Sequence, residues 1–196
     1  MKKRIGGLLI VAGMACSAPA MAEMTGNISG FVGVKGLNSD DWFADAHGEA
    51  GVQFDFGGSD WPVLIAIDAM GSHGTWDGYV YYPKTSSIHY YEEDVKTSEL
   101  NIGVRKYWDG PGRMHPYVGG GLAYVRLRAE GKKDGVTTLS DSGDGSGLWV
   151  GGGIVWYFDQ LSLGFNVRAS AAQVSLDSGT YDGGGGHTAF TLGYHW

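Results

Sequence analysis

The sequence predicts an all-β chain that folds as an eight-stranded antiparallel up-and-down transmembrane β-barrel, preceded by a cleavable signal peptide. Three observations indicate this fold class. Apolar residues recur at every second position in eight segments, which is the period of a β-strand. The connections between these segments alternate between short and long. On several segments the face opposite the apolar one carries charges, and a barrel in lipid, unlike one in water, turns its charged face inward.

The first 22 residues have the features of a secretion signal. Residues 2–4 are basic (Lys-Lys-Arg), residues 5–18 are an apolar stretch, and residues 20–22 (Ala-Met-Ala) form a small-x-small cleavage pattern. We therefore expect cleavage after residue 22 and a single β-barrel domain over residues 23–196.

Composition argues against several classes of function. Loss of the signal would leave 11 basic residues against 21 acidic ones, a net charge of −10, whereas nucleic-acid binding needs clustered bases. The single cysteine, Cys16, lies in the signal, so the mature chain offers no disulfide and no thiolate. The acidic segment 141–146 lacks the spacing and the distal Glu of an EF-hand. We expect neither a metal nor a cofactor.

Each predicted strand has one apolar and one polar face. In the second strand, Val52, Phe54 and Phe56 alternate with Gln53 and Asp55. The strand lengths suit the ~9–11 residues that a tilted strand needs to cross a bilayer. The eight strands are assigned to residues 27–35, 44–56, 63–73, 97–108, 116–130, 147–158, 161–174 and 187–196.

The fifth strand has two competing apolar faces. Val118 and Leu122 lie on one, while Leu127 and its neighbours at alternate positions lie on the other. A charge that faces lipid near the middle of the bilayer costs about 2–4 kcal/mol. For this reason we predict that Arg126 and Arg128 face the barrel interior.

The even-numbered strands share a common pattern. Each places a glycine inward (Gly51, Gly103, Gly153 or Gly193), then apolar or aromatic residues outward at every second position, and ends in an aromatic residue. Lys106 is the exception, and near a membrane edge its side chain can snorkel. The pattern predicts half of an aromatic girdle at one edge of the barrel.

The connections predict which end of the barrel faces which compartment. Residues 57–62, 109–115 and 159–160 are short turns, which in membrane barrels face the periplasm, while residues 36–43, 74–96, 131–146 and 175–186 are long loops on the other side. The loop at 74–96 is rich in aromatic residues. These either form a binding surface or extend the third and fourth strands beyond the bilayer.

Two segments resemble a known group of proteins. The last strand places Phe190, Leu192, Tyr194 and Trp196 on one face, which resembles the C-terminal assembly signal of outer-membrane β-barrels. Residues 116–122 (Pro-Tyr-Val-Gly-Gly-Gly-Leu) resemble the fifth strand of the small barrel of the outer-membrane protein A type. The resemblance implies a monomer in the outer membrane of a Gram-negative bacterium, in contact with membrane lipid and lipopolysaccharide and inserted by the barrel assembly machinery.

The predicted interior is a network of charges. An eight-stranded barrel is just wide enough for side chains to fill it, and buried charges must pair. The expected inward residues are Asp45, Glu49, Asp55, Asp68 and Glu99 with Lys35, Arg105, Arg126, Arg128 and Arg168. The predicted salt-bridge network consists of Glu49, Asp68, Glu99, Arg105, Arg126, Arg128 and Arg168, with Glu99 and Arg105 at its centre.

Three functions are compatible with this barrel. The first is a structural or surface-interaction role, with a lumen mostly closed by salt bridges. The second is a narrow passive channel for small solutes, in which removal of Glu99 or Arg105 raises conductance. The third is a lipid A-modifying enzyme, which needs a histidine beside a serine or an acid near the outer rim, where His47, His73 and His187 are candidates. No enzyme motif is matched, so we do not expect an enzyme.

Overall fold

The computed structural model describes residues 24–38, 46–177 and 179–196, which form one antiparallel sheet of nine strands. The predicted signal peptide (residues 1–22) and Asp45 lie outside these residues, so both stay predictions. The strands are β1 (Met24–Leu37), β2 (Ala46–Gly58), β3 (Leu64–Tyr82), β4 (Ser87–Tyr107), β5 (Met114–Lys133), β6 (Val136–Phe158), β7 (Leu161–Leu176), β8 (Gly179–Asp182) and β9 (Gly185–His195).

Eight of the strands close into a ring. Each strand from β1 to β7 pairs with the next, and β9 pairs with both β7 and β1. The short strand β8 pairs with β7 outside this ring. Closure leaves the ring without a free sheet edge, which is the condition for a β-sheet to span lipid. The predicted eight-stranded up-and-down barrel is confirmed.

Two of the predicted long loops are instead strand extensions. β3 and β4 stay paired up to Tyr82 and Ser87, so their hairpin turns over only four residues, 83–86. β5 and β6 are joined by Asp134 and Gly135, whose positive φ angles of 50° and 79° are those of a tight hairpin turn. The assignment of residues 74–96 and 131–146 to loops is therefore wrong. For residues 74–96, the alternative that they extend the third and fourth strands is correct. We call this end of the barrel the hairpin end.

An apolar belt covers the outside of the ring. Ile102 is 51% exposed and Phe190 is 68% exposed, which confirms that the apolar faces point outward rather than into a shared dry centre. An exposed apolar surface that runs around a closed barrel requires lipid as its solvent. The belt includes Ile28, Val32, Val34, Val52, Leu100, Ile102, Val104, Val118, Leu122, Leu148, Val150, Leu163, Val167, Phe190 and Leu192.

Aromatic side chains surround the short-turn end, as the strand pattern predicts. Trp108, Trp156, Phe158 and Tyr194 are exposed there, and Trp196 stacks on Tyr194 with ring centroids 6.3 Å apart. Such a girdle positions a barrel at the interface between lipid and water. No helix within the described ranges is long and apolar enough to cross a membrane.

Candidate functional site in the barrel interior

The interior near the short-turn end holds a charge cluster around Arg105. The Arg105 Nη1 atom lies 2.5 Å from Asp55 Oδ1, and its Nη2 atom lies 2.9 Å from Asp68 Oδ2. Tyr107 donates its hydroxyl hydrogen to Asp55 Oδ2 over 2.7 Å. The alternation of β2, β3 and β4 turns these side chains inward together. We call Asp55, Asp68, Arg105 and Tyr107 the lower cluster.

Arg168 on β7 connects the lower cluster to the acids above it. Its Nη1 atom lies 3.4 Å from Asp68 Oδ2, and its Nη2 atom lies 3.5 Å from Glu49 Oε1. The same Nη2 atom is 2.6 Å from the sulfur of Met70, and the guanidinium lies 5.9 Å from the centre of the Phe31 ring. One arginine thus bridges acids from two strands on the opposite wall of the barrel.

A second cluster lies above Arg168. His187 Nδ1 is 2.5 Å from Glu49 Oε2, and His187 Nε2 is 3.7 Å from Glu99 Oε1. Lys35 pairs with Glu99 and donates to Thr97 Oγ1 and to the Gly183 carbonyl oxygen, each over 3.1 Å. We call Lys35, Glu49, Glu99 and His187 the upper cluster.

The two clusters and Arg168 nearly balance in charge. The buried acids are Glu49, Asp55, Asp68 and Glu99, and the buried permanent bases are Lys35, Arg105 and Arg168. His187 contacts two of these acids through its ring nitrogens. The ion-paired side chains are at most 4% exposed, so the network is shielded from solvent.

The prediction that Arg126 and Arg128 face inward is wrong, because both side chains are exposed on the outside of β5. Val125 and Leu127 take the inward positions at this level and are fully buried. The two arginines lie beyond the apolar belt, toward the hairpin end. The cost of a charge in the middle of the lipid, on which the prediction rested, does not apply there.

A buried apolar layer lies in the interior above the upper cluster, and sequence analysis missed it. Leu37, Trp76, Leu139 and Tyr181 pack around it as partly buried neighbours. The only sequence signal is the run of alternate apolar residues in the second half of the fifth strand. The apolar layer consists of Val95, Val125, Leu127, Ala129, Ala172, Val174 and Leu176.

Trp149 is another interior residue that sequence analysis missed. Its indole is 4% exposed and lies 5.6 Å from the Arg105 guanidinium. The inward Gly119 on the neighbouring strand β5 leaves it room, because a Cβ there would lie 3.1 Å from the indole. A cavity of about 10 Å³ lies beside Gln53, Arg105 and Trp149, which is about the space that one water molecule needs.

One arrangement matches the geometry that an enzyme would need. His187 Nε2 lies 3.2 Å from Ser170 Oγ, while its Nδ1 atom faces Glu49. All three residues are at most 5% exposed, and Ala172 of the apolar layer follows Ser170 at the next inward position of β7. Ser170, His187 and Glu49 are thus buried together in the interior rather than at an exposed rim.

The other histidine candidates have different surroundings. His47 is buried, with its Nδ1 atom 2.9 Å from Ser72 Oγ. His73 faces outward and lies 2.9 Å from Asp94. Within residues 24–38, 46–177 and 179–196, no group of three His, Cys, Asp or Glu side chains is placed to hold a metal ion.

The fold is similar to those of several solved outer-membrane proteins. Neisserial surface protein A has 12% identity and a TM-score of 0.51, covering 87% of this chain and 96% of its own. Ail of Yersinia pestis has 11% identity and a TM-score of 0.55, covering 89% and 99%. A major outer membrane protein of Thermus thermophilus has 12% identity and a TM-score of 0.52, covering 88% and 99%.

The remaining comparisons give no match. No protein-family model matches the sequence, and no curated protein matches it either. At 11–12% identity the similar structures establish the fold alone. The chain therefore has the fold of the small outer-membrane β-barrels, as its sequence pattern predicts.

Proposed function

We propose that this protein is a structural and surface-interaction barrel of the bacterial outer membrane, with an interior that does not conduct solutes. The observation that carries the proposal is the filling of the interior in two layers. Paired charges fill the half toward the short turns, and the apolar layer fills the half toward the hairpins. We take the short-turn end as periplasmic and the hairpin end as extracellular.

The two layers oppose ion passage by different means. An ion that enters from the periplasm meets guanidinium and carboxylate groups already paired at 2.5 to 2.9 Å around Arg105. An ion that enters from outside meets buried aliphatic side chains, which offer nothing to replace its hydration shell. The cavity of about 10 Å³ beside Trp149 is too small for a solute.

Conductance in planar lipid bilayers tests this proposal. We expect near-zero conductance for the wild type and for Arg105→Ala, because the apolar layer stays in place after removal of the guanidinium. The triple variant Arg105→Ala, Leu127→Ser, Val174→Ser should conduct, because it opens both layers. The matched control is the triple variant Lys106→Ala, Leu122→Ser, Val167→Ser, which changes outward-facing residues on the same three strands.

The alternative of a narrow passive channel predicts a different result. A wild-type protein that conducts steadily would establish that alternative and overturn the closed interior. A large rise in the conductance of Arg105→Ala alone would show that the charge network is the barrier to ions, as the sequence-based hypothesis predicts. Heat-modifiable migration on gels verifies that each variant is folded before its conductance is compared.

The extracellular hairpins support the surface-interaction part of the proposal. The β3–β4 hairpin presents Tyr79 at 76% exposure and Ile88 at 64% exposure, well beyond the apolar belt. Aromatic side chains also link the two strands of this hairpin, since the hydroxyl groups of Tyr82 and Tyr91 form a hydrogen bond of 2.8 Å. The similar barrel Ail is an attachment invasion locus protein whose structure holds a heparin analogue. A role for this hairpin in surface contacts is in keeping with that likeness.

The final strand is proposed to carry the signal for assembly. Phe190, Leu192 and Tyr194 face outward on β9, and Trp196 stacks on Phe54 with centroids 6.0 Å apart. Truncation of Trp196 to alanine should slow insertion by purified assembly machinery, and unchanged insertion kinetics would contradict this role.

An enzymatic role is tested through Ser170. We expect lipid A from cells with and without the protein to show the same masses. A mass change that appears with the wild type and disappears in Ser170→Ala would establish an acyl-transfer or deacylase activity instead.

A further inference from the structure

The β3–β4 hairpin carries tyrosine rings on both of its faces, and within the described chain a cation lies over the rings of only one face. On the inner face, the ammonium group of Lys133 lies 5.4 Å from the ring centre of Tyr82 and 5.7 Å from that of Tyr91. On the outer face, Tyr79 and Tyr90 stand directly opposite each other, with ring centroids 5.1 Å apart. Among the cation–π contacts of the described residues, none involves either of these two rings. We call Tyr79 and Tyr90 the outer ring pair.

The outer ring pair is open to solvent and lies beside apolar side chains. Tyr79 is 76% exposed, and Tyr81 and Ile88, which stand opposite each other in the next row toward the tip, are 57% and 64% exposed. Tyr90 is held in place, because its hydroxyl donates to Asp77 Oδ2 over 3.1 Å. This hydrogen bond raises the pKa of Tyr90, so the hydroxyl stays protonated and the ring stays neutral. A fixed aromatic ring is therefore presented to a ligand from outside.

Carboxylates lie directly below the outer ring pair. Asp77 and Glu92 stand opposite each other in the next row toward the apolar belt, and like charges in this position destabilise a strand pair. Glu92 lies 3.6 Å from Lys132, whereas none of the ion pairs in the described part of the chain involves Asp77. Residues 74–94 include four acids and one lysine, Lys84 in the turn. The charges around the rings therefore favour a cation.

We propose that the outer ring pair binds a small organic cation of the choline type, a free trimethylammonium compound, with Asp77 and Glu92 as its counter-charges. A cation over the face of a tyrosine is attracted by the quadrupole of the ring. A trimethylammonium group suits the site better than a lysine ammonium, which is strongly hydrated, and its methyl groups have Tyr81 and Ile88 as apolar neighbours.

The source of the cation follows from the same carboxylates. The choline headgroup of a lipid carries a phosphate, which would approach Asp77 and Glu92 and be repelled by them. A free choline-type compound has no such charge and fits the site better. The inference names a ligand class for the surface contacts of the proposed function, and it rests on that function only in placing the hairpin end outside the cell.

NMR of the folded barrel with isotope-labelled tyrosine rings tests the proposal. The protein is kept in a maltoside detergent, which carries neither a charge nor a choline group. The probes are choline and its uncharged isostere 3,3-dimethylbutan-1-ol, which has a similar shape without the positive charge. Choline should shift the ring signals of Tyr79 and Tyr90 saturably, and the isostere should bind about tenfold more weakly or less.

A second tyrosine–aspartate pair provides a matched control. Tyr90→Leu/Asp77→Asn removes one ring and one charge from the site and should raise the Kd for choline about tenfold. Tyr124→Leu/Asp144→Asn removes a similar hydrogen-bonded pair from β5 and β6 and should leave the Kd unchanged. Tyr90→Phe keeps the ring and should keep most of the affinity. Heat-modifiable migration verifies that each variant is folded.

Four results would overturn the proposal. They are the absence of a choline-dependent shift at the outer ring pair, equal binding of the uncharged isostere, an unchanged Kd in Tyr90→Leu/Asp77→Asn, and tighter binding of glycerophosphocholine than of choline. The last result would assign the site to a lipid headgroup instead of a free cation. All of these readouts are independent of conductance, so the cation site and the closed interior can fail separately.

Discussion

The two halves of the barrel interior are filled by opposite chemistry. Toward the short turns, side chains such as Arg105, Asp68 and Arg168 meet in a buried ionic network. Toward the hairpin end, Val125, Leu127 and Val174 meet in a buried apolar layer. Both halves lie inside the same ring of strands, so the difference is set by what surrounds the strands on the outside.

β5 shows that the medium around a strand determines which of its two faces carries the apolar residues. Where lipid surrounds it, Val118 and Leu122 face outward and are exposed to the membrane. Beyond the lipid, Val125 and Leu127 are buried inward, and Arg126 faces outward to water. The apolar face of one continuous strand therefore changes sides at the membrane edge.

The same inversion occurs on two neighbouring parts of the ring. On β4, Leu100 faces the lipid while Val95, farther out, is fully buried. On β7, Val167 faces the lipid while Val174 is fully buried. The protein thus behaves as a membrane barrel in its lower half and as a water-soluble barrel in its upper half.

The largest effect on stability is expected from breaking the ionic half. Arg105→Ala leaves Asp55 and Asp68 buried without their main partner and should destabilise the protein by about 3–5 kcal/mol. Urea unfolding in lipid vesicles measures this loss. Lys106→Ala, one residue away on the outside, is the control and should change stability by no more than about 0.5 kcal/mol. A loss below about 1 kcal/mol in Arg105→Ala would mean that the cluster is hydrated rather than dry.

A somewhat smaller effect is expected in the apolar half. Leu127→Ala opens a cavity in a packed layer and should cost about 2–4 kcal/mol in the same unfolding assay. Leu122→Ala on the same strand faces lipid, which fills the space that is left, so its cost should be clearly lower. Equal costs at the two positions would show that the apolar layer is not a packed core.

The smallest effect concerns the turn between β5 and β6 at the hairpin end, where pH is the probe. The backbone N–H of Tyr90 and then the imidazole of His89 bind the Asp134 carboxylate, which lowers the pKa of Asp134 below its usual 3.8. Because the pKa is lower in the folded hairpin, this stabilisation is complete well above pH 4 and is lost as the pH falls through the folded pKa.

Hydrogen exchange at the Tyr90 amide measures that contribution. Its protection factor should fall between pH 5 and pH 2 in the wild type and change little in Asp134→Asn, since asparagine keeps the left-handed turn but not the charge. Equal pH dependence in both proteins would assign the effect to another group.

The ring of strands and most side-chain directions could be predicted from the sequence. Wherever a strand is surrounded by lipid, its apolar face points outward and its polar face points inward. Glu49, Asp68 and Arg168 lie at the levels where that rule holds, and they were placed correctly in the interior. Arg126 and Arg128 were misplaced because alternation alone does not report where the membrane ends. Alternation from the inward Gly153 also places Trp149 inward, but the room for its indole depends on Gly119 of the neighbouring strand β5, a relation that single-strand patterns do not contain.

Cysteine accessibility along β5 tests the inversion of faces most directly. The only cysteine in the sequence, Cys16, lies in the predicted signal, so single cysteines can be placed at 122, 125, 126, 127 and 128 in turn. In lipid vesicles, a water-soluble maleimide should label positions 126 and 128 but not 125 or 127, and a lipid-soluble one should label position 122. Labelling of 125 and 127 with protection of 126 and 128 would contradict the inversion and restore a single polar lumen.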